Sequence, residues 1–268
     1  MEDYRFHVLG CRGSRPVSGT QYQEFGCATS CYLIKADNHA IVLDCGTGLY
    51  GAAPYLEGCQ QVDVLMTHLH YDHILGLLGW TVFPKNAQVR VYMGVPHDSD
   101  DFNLLDFLKT PYWPVSPEMI DVIGVDYDST LHLTERASAR FCPSNHPDNA
   151  AIIRVDTDTG SACLVCDWEH GDREVPSEMV RGCSLILYDG MFNEAEYQVC
   201  KGWGHSTWNE GVKLAQQYGV ERLVITHHLP ERTDEQLHQM EDHARQVYPG
   251  IRFAREGDAY SLEHERKK

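Results

Sequence analysis

Three absences narrow this 268-residue chain before any motif is read. No stretch approaches about 18 uninterrupted apolar residues, so no transmembrane helix is expected. The opening MEDYRFHVLG carries acids early and has no apolar core. It therefore predicts no signal peptide and makes the cytoplasm the default compartment. Long basic runs are also missing: Asp and Glu outnumber Lys and Arg by 39 to 22, for a net charge of −17. Nucleic-acid binders concentrate cations to neutralise phosphates, so this balance argues against a nucleic-acid partner.

Disulfide patterning is lacking as well. Ten cysteines are scattered through the chain, which predicts reduced thiols. Cys163 and Cys166 form a C-x-x-C within ACLVC, an apolar run that reads as a buried strand. Residues three apart on a strand face opposite ways, so this pair is read as structural. No internal repeat, low-complexity tract or interdomain linker is visible. With 43% apolar and 23% charged residues, the composition predicts a single globular domain over residues 1–268.

Periodicity predicts strands over 4–9, 30–36, 40–44, 62–67 and 89–93, then 122–127, 138–142, 151–155, 162–166, 185–188 and 221–226. Residues 252–253 and 260–262 read as edge strands. Helices are expected from about Ile74, over 209–218 and over 233–247. Thr207 is the expected cap of the second, with Glu210 completing a capping box. Between the first two strands, GCRGSRPVSGT is too rich in glycine and proline for regular structure. Residues 97–120, with three prolines and Tyr112-Trp113, read as a loop that could be a lid, a homodimer contact or ordinary packing. The order of elements suits an α/β fold of two packed sheets with helices outside.

What is abundant is histidine, and its placement carries the function. His68-Leu69-His70-Tyr71-Asp72-His73 sets three imidazoles and a carboxylate just beyond a strand end. These are ligands for divalent metals, and a strand end followed by a turn brings alternate residues to one point. One such cluster cannot fill two coordination spheres. His146, Asp167 and His227 each follow or adjoin a predicted strand and are the candidates to complete them; His228 is the alternative to His227, and His170 is unplaced.

In this order, H-x-H-x-D-H, His146, Asp167 and His227 resemble the metallo-β-lactamase superfamily over residues 8 to about 234. The resemblance implies a four-layer αβ/βα sandwich with a dinuclear site at one edge of the sheets. It implies that His68, His70 and His146 hold one metal, that Asp72, His73 and His227 hold the other, and that Asp167 bridges them. Zinc, manganese and iron all accept such ligands, so two divalent ions are expected without a choice of element.

Gly204-His205-Ser206-Thr207, followed by a helix and LVITHH, is similar to the tRNA 3′-processing endonucleases and bacterial cyclic phosphodiesterases. In that branch the histidine acts with an acid from an earlier strand end, a position that Asp189 matches. Expulsion of an alkoxide needs a proton, and a carboxylate-held histidine can supply it. The resemblance thus assigns Asp72, His205 and Asp189 to catalysis, with Ser206 and His228 lining the substrate pocket. The glycine-rich first loop and PYWPVSPEMI are similar to the same branch. Cys11 and Ala28 depart from it, standing where threonine and asparagine are common. The first expectation is a small phosphodiester substrate, such as a cyclic nucleotide or cyclic sugar phosphate. An RNA-processing endonuclease, a thiolester or lactam hydrolase, and a redox scaffold remain as alternatives.

Overall fold

The computed structural model describes residues 3–95, 120–127, 129–147, 149–220 and 222–264. Of the loop expected over 97–120, residues 97–119, with Tyr112-Trp113, lie outside the described residues, and Ile120 is the first residue of a strand. Continuous apolar runs become strands buried on both faces, as expected where two sheets are each covered by helices.

One sheet contains β1 (Arg5–Gly10), β2 (Cys31–Ala36), β3 (His39–Leu43), β4 (Gln61–Met66), β5 (Gln88–Val95) and β6 (Ile120–Asp126). The other contains β7 (Leu131–His132), β8 (Ala137–Pro143), β9 (Ala151–Thr157), β10 (Ser161–Val165), β11 (Leu185–Asp189), β12 (Leu223–Thr226) and β13 (Ile251–Phe253). A last strand, β14 (Ala259–Ser261), returns to the outer edge of the first sheet beside β1. Each sheet is therefore seven-stranded and, β14 apart, runs in chain order. Strands β1 to β3 are antiparallel and β3 to β6 parallel; β7 to β10 are antiparallel and β10 to β13 parallel.

Three apolar clusters define the layers. Phe6, Tyr32, Ile34, Phe141, Ile153 and Leu187 interlock between the sheets. Leu33, Val42, Val64 and Val91 pack outward against Leu49, Leu56 and Leu77 of short helical segments. Ile152, Cys163, Ile186 and Ile225 face outward against α3 (Ser177–Val180), α5 (Trp208–Tyr218) and α6 (Asp234–Val247). This is the four-layer sandwich. Cys163 lies in the outer cluster and Cys166 in the central one, so the C-x-x-C pair faces opposite sides, and both thiols are free.

The helix expected from Ile74 is instead one turn, α2 (Tyr71–Ile74), running into 3₁₀ geometry over Leu75–Val82. Gly76 packs against the Gly46 and Cys45 carbonyls, and Gly79 takes non-helical angles, which prevents a regular α-helix. At α5, Thr207 holds the cap position without a side-chain cap bond. Its hydroxyl donates instead to Glu194 of α4 (Glu194–Cys200) at 2.9 Å, so the expected capping box does not form. The boxes that do form are Asn193 with Glu196 and Thr233 with Gln236. No helix among the described residues is long and apolar enough to cross a membrane.

Phe141 is 1% exposed at the centre of the intersheet core. Phe141→Ala is expected to cost about 3–5 kcal/mol, because the cavity left between two sheets cannot collapse fully. Urea unfolding should show a lower midpoint with an unchanged slope; an unchanged midpoint would contradict this packing.

Candidate metal centre and active site

The parallel halves of both sheets aim their carboxyl ends at one edge, where α/β sheets place ligands. Asp44 follows β3, His68 follows β4, Asp167 follows β10, Asp189 ends β11 and His227 follows β12. Several of these strand ends turn abruptly. Among the described residues, six non-glycine residues have positive φ; Asp44 (59°), Asp167 (51°), His227 (58°) and Ser14 (54°) are four of them, and all abut this edge. Left-handed backbone costs an L-residue roughly 1–2 kcal/mol. Here that strain turns a side chain into the site.

Besides an overlapping set of Asp167, Asp189, His205 and His227, two groups of side chains could hold a metal ion. His68, His70, His146 and Asp167 offer atoms within 4.8 Å of one another, as do Asp72, His73 and His227. Asp167 lies between the two groups: Oδ2 is 3.1 Å from His73 Nε2, and Oδ1 is 3.5 Å from His227 Nε2 and 3.8 Å from both His68 Nε2 and His146 Nε2. On the other side, Asp72 Oδ2 is 3.3 Å from His73 Nε2 and 3.7 Å from His227 Nε2.

His70 presents Nδ1 to His146 Nε2, 3.3 Å away. In the other four rings the far nitrogen is Nδ1, and it has a partner. His73 Nδ1–H donates to Asp44 Oδ2 at 2.8 Å, and His146 Nδ1–H donates to the Gly204 carbonyl at 2.9 Å. The Thr67 hydroxyl donates to Asp44 at 2.9 Å and so accepts from His68 Nδ1–H at 3.0 Å. His227 Nδ1 lies 3.1 Å from Ser30 Oγ and 3.3 Å from Cys166 Sγ. Fixing Nδ1 as the donor leaves the Nε2 lone pairs facing inward, as a metal requires.

The unsatisfied atoms of this donor set fit divalent ions. His68 Nε2, His73 Nε2 and Asp167 Oδ2 are buried without hydrogen-bond partners, though buried polar groups normally have them. All three point to the centre. Burial disfavours charge on Asp72 and Asp167, yet the imidazoles outweigh it, led by His73 at Asp72 and His227 at Asp167; both carboxyls sit below their usual range. Burial, with neighbouring imidazoles, holds His68 well below the usual histidine range. At His73 burial is outweighed by Asp167, Asp72 and Asp44, which hold the ring well above that range. Ionised carboxylates that draw positive charge into a buried cluster of converging lone pairs suit a divalent cation.

Beside this centre, His205 Nδ1–H donates to Asp189 Oδ2 at 2.9 Å. Asp189 is itself fixed: Oδ2 accepts from the Asp167 N–H, and Oδ1 from the Met191 and Ser206 N–H groups. Burial opposes a charged ring on His205, but the Asp189 carboxylate outweighs it and raises the ring to about 9. The His205 ring stacks on His227, with centroids 4.9 Å apart. A cleft of about 400 Å³ opens onto the centre, lined by His70, Asp72, His146, Asp167, His205 and His227 together with Ser14, Leu69, Tyr71 and Trp203.

Two residues expected in the pocket are elsewhere. His228 is buried on the far side, its ring between Phe25 and Phe253, and Nε2–H donates to the Ala254 carbonyl at 2.9 Å. The left-handed turn at His227 sends the two rings opposite ways, which decides between them for the centre. Burial, with the Arg12 guanidinium, lowers His228 to about 3, so its ring is neutral. Ser206 is fully buried behind Asp189, its hydroxyl 3.0 Å from Tyr188 Oη and 2.7 Å from His170 Nδ1. That bond also places His170 outside the centre.

Residues that sequence reasoning missed hold these side chains in place. Asp44, Thr67 and Ser30 orient histidines, and the Ser14 N–H donates to Asp72 Oδ2 at 2.7 Å. Asp44 opens the run Asp44-Cys45-Gly46-Thr47-Gly48, where an acid at a strand end before glycines was the available signal. Gly13 explains the glycine-rich first loop, since a Cβ there would lie 2.6 Å from His227 Nε2.

Comparison with known proteins agrees with this architecture. The family model described as beta-lactamase superfamily domain matches residues 39–228. Ribonuclease Z of Methanopyrus kandleri is 26% identical over 252 residues, covering 84% of this chain and 88% of its own. The crystal structure of the metallo-beta-lactamase fold protein YhfI from Bacillus subtilis superposes with a TM-score of 0.73 at 21% identity, covering 97% of this chain and 99% of that one. The structure of a diphosphatase from the PhnP family gives 0.72 at 19% identity, covering 97% and 98%.

Asp44→Asn keeps the shape and the Oδ1 contacts from Thr67 but removes the charge and the Oδ2 acceptor facing His73. It is expected to weaken metal retention roughly 10–100-fold. Elemental analysis after graded chelator dialysis measures this, and retention equal to the native protein would refute the orienting role.

Proposed function

The chain belongs to the beta-lactamase superfamily and is a metallo-hydrolase of it, and from that premise we propose that it is a phosphodiesterase acting, as one domain, on a small cyclic phosphate or nucleotide. The observation that carries this reading is the His205–Asp189 pair, 2.9 Å apart and set against the ligand cluster. Its use is to protonate a poor leaving group. Phosphodiester cleavage expels an alkoxide and needs that proton; opening a thiolester does not. The relatives named ribonuclease Z and diphosphatase agree with phosphoryl chemistry.

His68, His70 and His146 would hold one divalent ion, Asp72, His73 and His227 a second, with Asp167 shared. Zinc and manganese suit this set, and iron is compatible. Bound there, such ions supply Lewis-acid activation of water and neutralise charge on phosphoryl oxygens. The chain's own residues do the rest. Asp72, held by the Ser14 N–H, orients the attacking water, since its carboxylate projects into the cleft. His205, charged through Asp189, gives its Nε2 proton to the departing oxygen. Asp189 anchors the ring and remains ionised behind it.

RNA cleavage, suggested by the ribonuclease Z relative, is the weaker reading. The net charge is −17, and no Lys or Arg lines the cleft among the described residues. A polyanion would meet neither a basic groove nor a favourable field.

Protein loaded separately with zinc and with manganese should hydrolyse bis(p-nitrophenyl) phosphate, and Asp72→Ala should abolish this. His205→Ala should lose about 10²–10⁴ in turnover on an alkyl phosphodiester. It should lose far less on the nitrophenyl ester, whose leaving group needs no proton. Equal losses on both esters would remove His205 from the general-acid role, and a fully loaded protein inactive on both would remove the phosphodiesterase reading.

A further inference from the structure

Among the described residues, three of the seven exposed large apolar side chains line the cleft mouth. Trp203 is 63% exposed, Tyr71 67% and Leu69 37%, and all three line the cleft. Leu69 and Tyr71 alternate with the ligands His70 and Asp72, so they share the wall formed after β4. Trp203 comes from the turn between α4 and α5, two residues before His205. Exposed aromatic rings brought together at a cavity rim from separate elements mark a recognition surface rather than residual core.

The segment carrying Trp203 is held firmly. Glu169 accepts from the Gly202 N–H at 2.7 Å and from the Gly204 N–H at 2.9 Å, one on each side of the tryptophan. The Trp203 N–H donates to the Cys200 carbonyl at 3.1 Å. Gly202 and Gly204 both have positive φ, near 87° and 88°, which L side chains rarely adopt, and a Cβ on Gly204 would collide with His146. The indole edge meets Phe192, with centroids 6.4 Å apart at 71°, and Phe192 in turn meets the His205 ring at 5.9 Å. The backbone is thus fixed, one ring edge is packed, and much of the ring still faces solvent.

The cleft's charge complements this. Among the described residues its lining contains histidines, two carboxylates, a serine and apolar rings, but no Lys or Arg. Arg15, adjacent to the lining residue Ser14, is already paired with Glu231. A substrate with several phosphates would have only the His/Asp centre to neutralise it. A substrate with one phosphodiester charge and a neutral planar ring would satisfy both the centre and the rim.

We propose that Trp203 is a specificity-determining residue that stacks on a heterocyclic base, with Tyr71 and Leu69 forming the facing wall, so that the enzyme takes nucleoside cyclic phosphates in preference to cyclic sugar phosphates lacking a base. The proposal rests on the phosphodiesterase reading for the reaction, but base recognition is separable from turnover. An aromatic ring accepts every base through its π-face, so discrimination among bases is weak while discrimination against their absence is strong.

The test is calorimetric binding of adenosine 5′-monophosphate and ribose 5-phosphate to metal-loaded protein, with Trp203→Ala and Trp203→Phe beside it. The native protein should bind the nucleotide roughly 10-fold or more tightly than the sugar phosphate. Trp203→Ala should remove most of that ratio by weakening nucleotide binding alone, and Trp203→Phe should retain most of it. Equal affinities in the native protein, or an undiminished ratio in Trp203→Ala, would overturn the proposal. Hydrolysis of 3′,5′-cyclic adenosine monophosphate by the same proteins reads the reaction separately. There, Trp203→Ala should raise KM while leaving kcat within a few-fold. Loss of kcat alone would make Trp203 a support for His205, not a base platform. Absence of hydrolysis beside an intact binding ratio would sink the phosphodiesterase reading and leave base recognition standing.

Discussion

Asp167 is buried where the two sheets come together, with the Nε2 atoms of His68, His73, His146 and His227 all within 3.8 Å of its oxygens. A buried carboxylate needs compensating charge, and one unsatisfied oxygen among inward-facing lone pairs creates a demand that only a cation meets. The surrounding architecture answers that demand. Both sheets end their parallel strands at this edge, and the first loop passes between them, with Arg12 bridging to Thr29 and to His228.

The ligand side chains would not converge without a layer of groups behind them. Asp44 and Thr67 tie together His68 and His73; Ser30 and Cys166 contact His227; the Gly204 carbonyl holds His146. Asp189 links this layer to His205, because the Asp167 N–H and the His205 ring bind the same carboxylate oxygen. One buried acid thereby positions both a ligand segment and the ring beside the cleft. Strained backbone is concentrated in the same region, as expected where function overrides local preference.

How much of this could be read in advance varies with sequence separation. HLHYDH is legible because its ligands are local: a strand end and one helical turn suffice to bring them together. His146, Asp167 and His227 could be proposed only as strand-end residues in a family-like order. Ser206 and His228, which the family resemblance puts in the pocket, each follow a residue that does line it, but adjacency along the chain does not set direction. A left-handed turn reverses the ring at His228, and burial behind Asp189 removes Ser206. Thr207 has the sequence of a cap, yet a long-range acceptor, Glu194, takes its hydroxyl. Asp44 and Ser14 were overlooked because their effects depend on partners 29 and 58 residues away.

By itself the sequence determined the alternation of elements, the apolar strands that must be covered on both faces, the metal-binding chemistry of the histidine cluster and the charge balance that disfavours polyanions. All of these depend on residue type and short-range periodicity. Only the tertiary structure decided which of two adjacent histidines faces the centre, which polar groups orient the rings, and that Trp203 and Tyr71, 132 positions apart in a chain of two sheets, share one cleft mouth. Those outcomes depend on backbone direction at single residues and on contacts across the sheet interface, where the packing of the whole chain sets the geometry.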